Sequence, residues 1–178
     1  MKLNGKKLDT PNIETIVFPR ANGEDIIFKA QAVLDLNDFE KLCPEPKPPR
    51  MIKRGSIEPM DNVEDPAYKQ SIFNHNKLRM DWLILQSLRA TEELEWETVK
   101  YDDPSTWASY EQELKDSKFS LAEVQRIRLG VMAANSLSES KIEEARQRFF
   151  MREASKKLEN SSQEVGQLNT QSGAPANG

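Results

Sequence analysis

One cysteine, one histidine and seven glycines in 178 residues narrow what this chain can do. Cys43 alone excludes an internal disulfide and any multi-cysteine metal site. His75 alone leaves little for a zinc site or a histidine-based triad. Three of the seven glycines lie beyond residue 160, and neither a Walker loop nor a G-x-G-x-x-G motif is present, so no phosphate-cradling loop is read. No run approaches the ~18 consecutive apolar residues of a membrane span. Met1–Lys7 carries lysines with no apolar run behind them, which reads against a secretory signal. A net charge of −4 is a poor electrostatic grip on nucleic acid. With 30% charged and 37% hydrophobic residues, the chain reads as a soluble cytoplasmic binding or assembly protein. The expectation is no enzyme, no catalytic residue, no cofactor, no metal, no nucleic acid and no membrane.

The residues present suggest a small β element ahead of helices. Ile13–Phe18 and Asp25–Ala30 are β-branched and aromatic runs flanking Asn22-Gly23, a pair that tolerates the positive φ of tight hairpin turns. Asp35 or Asn37 can cap a short helix with Leu36, Phe39 and Leu42 on one face, and Pro44 ends it. Cys43–Arg50 holds four of the ten prolines and reads as an extended linker, or as a ligand for an aromatic groove. The stretch 51–59 suggests a loose second hairpin turning at Gly55.

Three helix starts follow. Asp65-Pro66 places a capping carboxylate before a proline whose missing N–H costs nothing in the first turn. The helix it opens runs to about Arg89, with Phe73, Met80, Ile84 and Leu88 on one stripe and Tyr68, Ile72, Trp82, Leu83 and Leu85 widening it. Asp103-Pro104 opens a second helix to about Lys115, with Trp107, Tyr110 and Leu114 in phase. Ser120-Leu121-Ala122-Glu123 is a capping box, followed by Val124, Ile127, Val131 and Met132 on one face. Ser138–Lys141 continues or restarts the helix, and Ile142, Ala145, Phe149 and Phe150 supply a stripe to about Lys157. Beyond residue 159 the chain is polar and cannot bury enough apolar surface to offset its entropy. The expected fold is mostly α with a small N-terminal β-hairpin element (α+β), a helical body and a disordered C-terminal tail. Its divisions are 1–43, a linker at 44–64, a helical domain at 65–158 and the tail at 159–178.

Acidic clusters at 61–65, 92–97 and 102–103 fall at helix starts or in a connector, where the helix dipole and solvent favour negative charge. His75 reads as a partly exposed helix residue, and Cys43 as a small apolar residue closing a short helix. Lys141, Arg146, Arg148, Arg152, Lys156 and Lys157 interleave with Glu143, Glu144 and Glu153, the mark of a solvated mixed-charge face. The aromatics Trp96, Tyr101 and Trp107 crowd into an acidic connector. Two readings stay open for them. Either they lock helices together, burial being the commoner fate of tryptophan, or they form an anchor patch that binds a partner.

Several stretches between Glu64 and Phe149 carry a resemblance. They are Glu64–Tyr68, Asp81–Leu88, Leu94–Glu97, Asp103–Trp107, Phe119–Val124, Ala134–Glu139 and Glu144–Phe149. In this order they resemble the tail assembly chaperones of long-tailed bacteriophages, over roughly half the chain. The resemblance implies a non-enzymatic late protein of the infected host cytoplasm, absent from the finished virion. Its partners would be the tape-measure protein and the tail-tube protein, and self-association stays open. It also implies two lengths made by ribosomal frameshifting, with the polar tail suiting the shorter. The competing expectation is a structural virion component, such as a head–tail joining or tail-completion protein. A third, a small metal-dependent enzyme, would use the acidic clusters.

Overall fold

In a computed structural model of the chain, the described residues are 1–7, 9, 11–52, 58–136, 142–152 and 155. Two units are distinguished, Met1–Ser136 and Leu137–Gly178.

The first unit begins with two hairpins. β1 (Lys2–Leu3) pairs antiparallel with β2 (Lys6–Lys7). Asn4 and Gly5 between them both have positive φ, as a tight two-residue turn demands. β3 (Ile13–Phe18) pairs antiparallel with β4 (Ile26–Gln31), with Ile16 opposite Phe28. This is the expected hairpin, but Asn22-Gly23 lies in a wider connection over 19–25. There only Gly23 has positive φ, its N–H donating to the Arg20 carbonyl. Alternation along the strands sends Ile16, Phe18, Phe28 and Ala30 inward.

α1 (Asn37–Leu42) follows, capped not by a side chain of Asn37 but preceded by an Asp35 carboxylate that accepts the Asn37 N–H. Phe39 is buried, whereas Leu42 stays 42% exposed. The proline segment leads into β5 (Arg50–Met51), paired antiparallel with β6 (Met60–Asp61). The second hairpin is therefore present, and its expected turn at Gly55 lies outside the described residues.

α2 (Pro66–Leu88) starts where the sequence places it, with the Asp65 carboxylate accepting the Tyr68 N–H at 2.9 Å. A 3₁₀ turn (Pro104–Ser109) runs into α3 (Tyr110–Asp116). α4 (Leu121–Asn135) opens with the full capping box, Ser120 and Glu123 each satisfying the other's backbone N–H. In the second unit the backbone is helical over 142–152. The segments 138–141 and 159–178, for which a helix restart and a disordered tail were expected, lie outside the described residues.

The architecture is α+β with a helical body. The hairpin is not a separate lobe, however. Its inner face shares one core with Trp82, Leu85 and Leu88 of α2, Trp107, and Val124, Ile127 and Val131 of α4. Phe18, Phe28 and Phe119 meet edge to face with centroids 5.6–6.0 Å apart. A lone hairpin cannot hold its own apolar face dry, so it folds onto the helices. The division falls after Ser136, not at residues 43 or 65.

Two stripe assignments need correction. Phe73 is 64% exposed and Met80 43% exposed. The buried residues of α2 all lie in its last turns, where β4, the 3₁₀ turn and α4 meet it. Met132, expected on the inner face of α4, is likewise 42% exposed.

Candidate functional site

The connector between α2 and the 3₁₀ turn carries Trp96 and Tyr101, the turn itself carries Trp107, and one carboxylate shapes the connector. Glu113 on α3 accepts the backbone N–H groups of Glu97, Thr98 and Val99 at 2.7–3.1 Å, together with the Thr98 hydroxyl. Burial alone would raise its pKa, but the Thr98 hydroxyl and the three N–H groups outweigh burial and hold it low. Thr106 Oγ1 accepts the Lys100 N–H, and the Trp107 indole N–H donates to the Lys100 carbonyl at 3.0 Å. The connector thus takes its shape from side chains of the elements that follow it. Nothing local in its sequence announces Glu113 as its anchor.

The structure does not gather Trp96, Tyr101 and Trp107 into one exposed patch. Trp107 is wholly buried, its ring 6.2 Å from Phe39, and offers no surface to a partner. It takes the locking role. Trp96 is half-buried edge-on to Tyr110, and among the described residues its buried indole N–H meets no acceptor. Tyr101 is half-buried beneath the Arg89 guanidinium, 4.3 Å from its ring centre. It also borders a groove of about 300 Å³, whose other walls include Lys41 and Leu42 of α1 and Gln86 of α2. Tyr101 thus lines a groove.

A polar cluster sits deeper, where α2, α3 and α4 meet. Arg128 Nε donates to the Tyr110 hydroxyl at 3.0 Å, and the Arg128 guanidinium pairs with Glu111. Burial, above all, pushes the Tyr110 phenol up to about 12. Asp81 is 5% exposed, and among the described residues its buried Oδ2 meets no hydrogen-bond partner. Burial raises its pKa and the Glu111 charge adds to that, against the opposing pull of Lys77 and Arg128. Burial lowers the Arg128 pKa, but the Tyr110 hydrogen bond and the nearby acidic charges leave it raised. Asp81 carried a legible signal. Positions 81, 84, 85 and 88 share a helical face, so the aspartate stands in an apolar stripe.

Several of the remaining chemical candidates have structural partners. Asp65 and Asp103 are helix caps, the latter accepting the Ser105 N–H. Glu92 pairs with Lys29 at 2.6 Å. His75 is half-buried beside Phe39, with Nε2 3.0 Å from the Cys43 carbonyl oxygen. Cys43 is buried, and burial pushes its thiol pKa up. Among the described residues no group of three or more His, Cys, Asp or Glu side chains is placed to hold a metal ion. No helix among them is long and apolar enough to cross a membrane.

In the second unit, helix 142–152 presents Phe149, Phe150 and Met151 to solvent at 58%, 66% and 71% exposure. Phe149 and Phe150 pack edge to face on each other, with centroids 5.7 Å apart.

No protein-family model matches this chain, and neither a curated protein nor a solved structure shows significant similarity to it.

Proposed function

We propose that the chain is a non-enzymatic tail assembly chaperone of a long-tailed bacteriophage, acting in the host cytoplasm and left out of the mature virion. In this reading it binds the tape-measure protein, keeps that long apolar helix from aggregating, and helps recruit tail-tube subunits around it. The observation that carries the reading is the exposed run Phe149-Phe150-Met151. Three adjacent large apolar side chains in water cost free energy unless a partner covers them, and such surfaces mark protein interaction sites. A helix presenting one suits a helical client. The groove beside Tyr101 offers a second contact, with Tyr101 and Leu42 among its lining. The resembling stretches at 64–68, 103–107 and 119–124 supply caps and core residues, which suits a family likeness that is structural rather than catalytic.

The test is co-expression with the tape-measure protein of the same phage. The chain should co-purify with it and keep it soluble. The double variant Phe149→Ser/Phe150→Ser should lose that capture while melting at the same temperature as the parent. Capture that survives the double variant removes these residues from the site. Mass spectrometry of purified particles decides against a virion component, since a chaperone should be missing from them. Stoichiometric presence in particles would sink the chaperone reading in favour of a joining or completion protein.

A further inference from the structure

The two edges of the β3–β4 ribbon are treated differently by the rest of the fold. Asn12 and Ala32 are a hydrogen-bonded pair, the Ala32 N–H donating to the Asn12 carbonyl at 2.9 Å. Alternation along an antiparallel ladder then turns the backbone groups of Ile13, Thr15 and Val17 outward from β3, and those of Ile27, Lys29 and Gln31 outward from β4. On β4 side chains cover that outward edge at Lys29 and Gln31. Thr91 Oγ1 accepts the Lys29 N–H at 2.9 Å and donates to the Lys29 carbonyl. Ser87 donates to the Gln31 carbonyl, and just beyond the strand Asn135 Oδ1 accepts the Val33 N–H at 2.8 Å. On β3, among the described residues, the outward groups of Ile13, Thr15 and Val17 meet no protein partner.

The bare edge opens into a groove of about 630 Å³. Thr15 and Val17 form one wall, and Ala122, Arg126, Leu129 and Ala133 of α4 form the other. α4 runs antiparallel along β3. Glu123 pairs with Arg20 at one end, Asn12 Nδ2 donates to the Ala134 carbonyl at 2.7 Å at the other, and Gly130 lies against Ile16 between them. Val17 is 42% and Leu129 61% exposed. Ile13–Phe18 holds no lysine, proline or bulge, and its single charged residue is Glu14 on the inner face. Lysine, proline and bulges are among the usual guards of a solitary edge strand.

We propose that this edge is a two-fold interface with a second copy of the chain, two β3 strands pairing antiparallel into a four-stranded sheet. The sequence of the edge fits itself. A two-fold axis at Thr15 sets Thr15 opposite Thr15, Ile13 opposite Val17 and, on the other face, Glu14 opposite Ile16, so every outward backbone group gains a partner and the Ile13–Val17 pairs set apolar against apolar. Threonine pairs and β-branched pairs are favourable across strands. The same axis brings the Ala122, Arg126, Leu129 and Ala133 stripe of each α4 toward its counterpart, with small residues at both ends of the stripe. A closed, self-complementary contact of this kind makes a dimer rather than a fibre. The inference goes beyond the chaperone reading and does not rest on it.

The experiment is sedimentation equilibrium on the full chain from micromolar to hundreds of micromolar concentration, with amide hydrogen exchange at Thr15 and Val17. The parent should show a concentration-dependent species of twice the 20.4 kDa chain mass. Thr15→Pro removes one outward N–H and leaves the β4 ladder intact, as proline at an edge allows. Val17→Lys adds a charge to the edge. Each should weaken the dimer roughly tenfold or more, with Val17→Lys still folded by circular dichroism should the proline variant not be. The Thr15 and Val17 amides should slow as the parent associates, and the Phe149→Ser/Phe150→Ser protein should dimerise normally. The proposal fails if the parent is monomeric throughout, if association survives both edge variants, or if only the Phe149/Phe150 change abolishes it. It fails also if those two amides gain protection only when a different protein is added, which would assign the edge to a foreign strand.

Discussion

α4 and helix 142–152 present similar patterns and meet opposite fates. Both carry apolar residues at helical spacing among charged neighbours. In α4 the residues Val124, Ile127, Val131 and Ala134 are at most 2% exposed. In helix 142–152 the residues Phe149 and Phe150 are more than half exposed. Periodicity defines which face of a helix is apolar. It does not say whether the same chain covers that face. α4 is covered because β3 and β4 lie under it, and Gly130 lets helix and strand approach closely. A Cβ at that position would stand 2.3 Å from Ile16 Cδ1.

That contrast can be pressed from both sides. The largest effect should come from the core stripe. Ile127→Ala, or Leu88→Ala on α2, should cost ~2–5 kcal/mol in a urea melt, since both side chains are fully buried. That is a large part of the ~5–15 kcal/mol that holds a typical domain folded. A loss below ~1 kcal/mol would show that the stripe is not sealed as described. Gly130→Ala comes next. It forces the Ile16 side chain aside, a crowding cost of ~1–3 kcal/mol that the ~1 kcal/mol helix preference of alanine over glycine only partly offsets, so a net loss is expected by thermal melting and a clear gain would mean that Ile16 moves freely into the groove.

Acid should act on the start of α4. The hydrogen bond from Arg20, joined by the Ser120 N–H and hydroxyl, holds Glu123 at about 2, below its ordinary 4.5. A carboxylate lowered in the folded state contributes stability above its unfolded pKa and loses it as pH falls through the folded value. The parent should therefore lose stability from about pH 4.5 toward 2, and Glu123→Gln should flatten that part of the profile. An unchanged slope in the variant would remove Glu123 as a cause. The smallest effect belongs to the other helix. Phe149→Ser should shift stability by no more than ~0.5 kcal/mol, as exposed substitutions do. A loss of several kcal/mol would mean that the phenylalanine is covered after all and would erase the contrast.

The parts of the fold legible in the sequence are those whose causes lie within a few residues. Asp65-Pro66, Asp103-Pro104 and the Ser120–Glu123 box each mark a helix start, because a cap and the N–H groups it satisfies are neighbours in the chain. The hairpin strands were legible from β-branched alternation, although Asn22-Gly23 suggested a tighter turn than the one formed. Of the candidate site, the sequence located the aromatics but not their exposure. Trp107 went to the core, Trp96 halfway and Tyr101 to a groove, according to what α1, α2 and α3 place beside each.

The sequence by itself determined the helix starts, the strand alternation and the apolar face of each helix, because these follow from local backbone chemistry and a fixed residue period. Only the tertiary structure decided which faces are buried, that Glu113 gathers three backbone N–H groups from the connector ahead of it, and that β4 is covered at Lys29 and Gln31 while β3 is left open. Those outcomes depend on groups brought together from far apart in the chain. Ser87 and Thr91 reach β4 from α2 and the residues just after it, across more than fifty residues of chain. No spacing in the sequence encodes such a meeting. It exists only once burial of the shared core has placed the helix against the sheet.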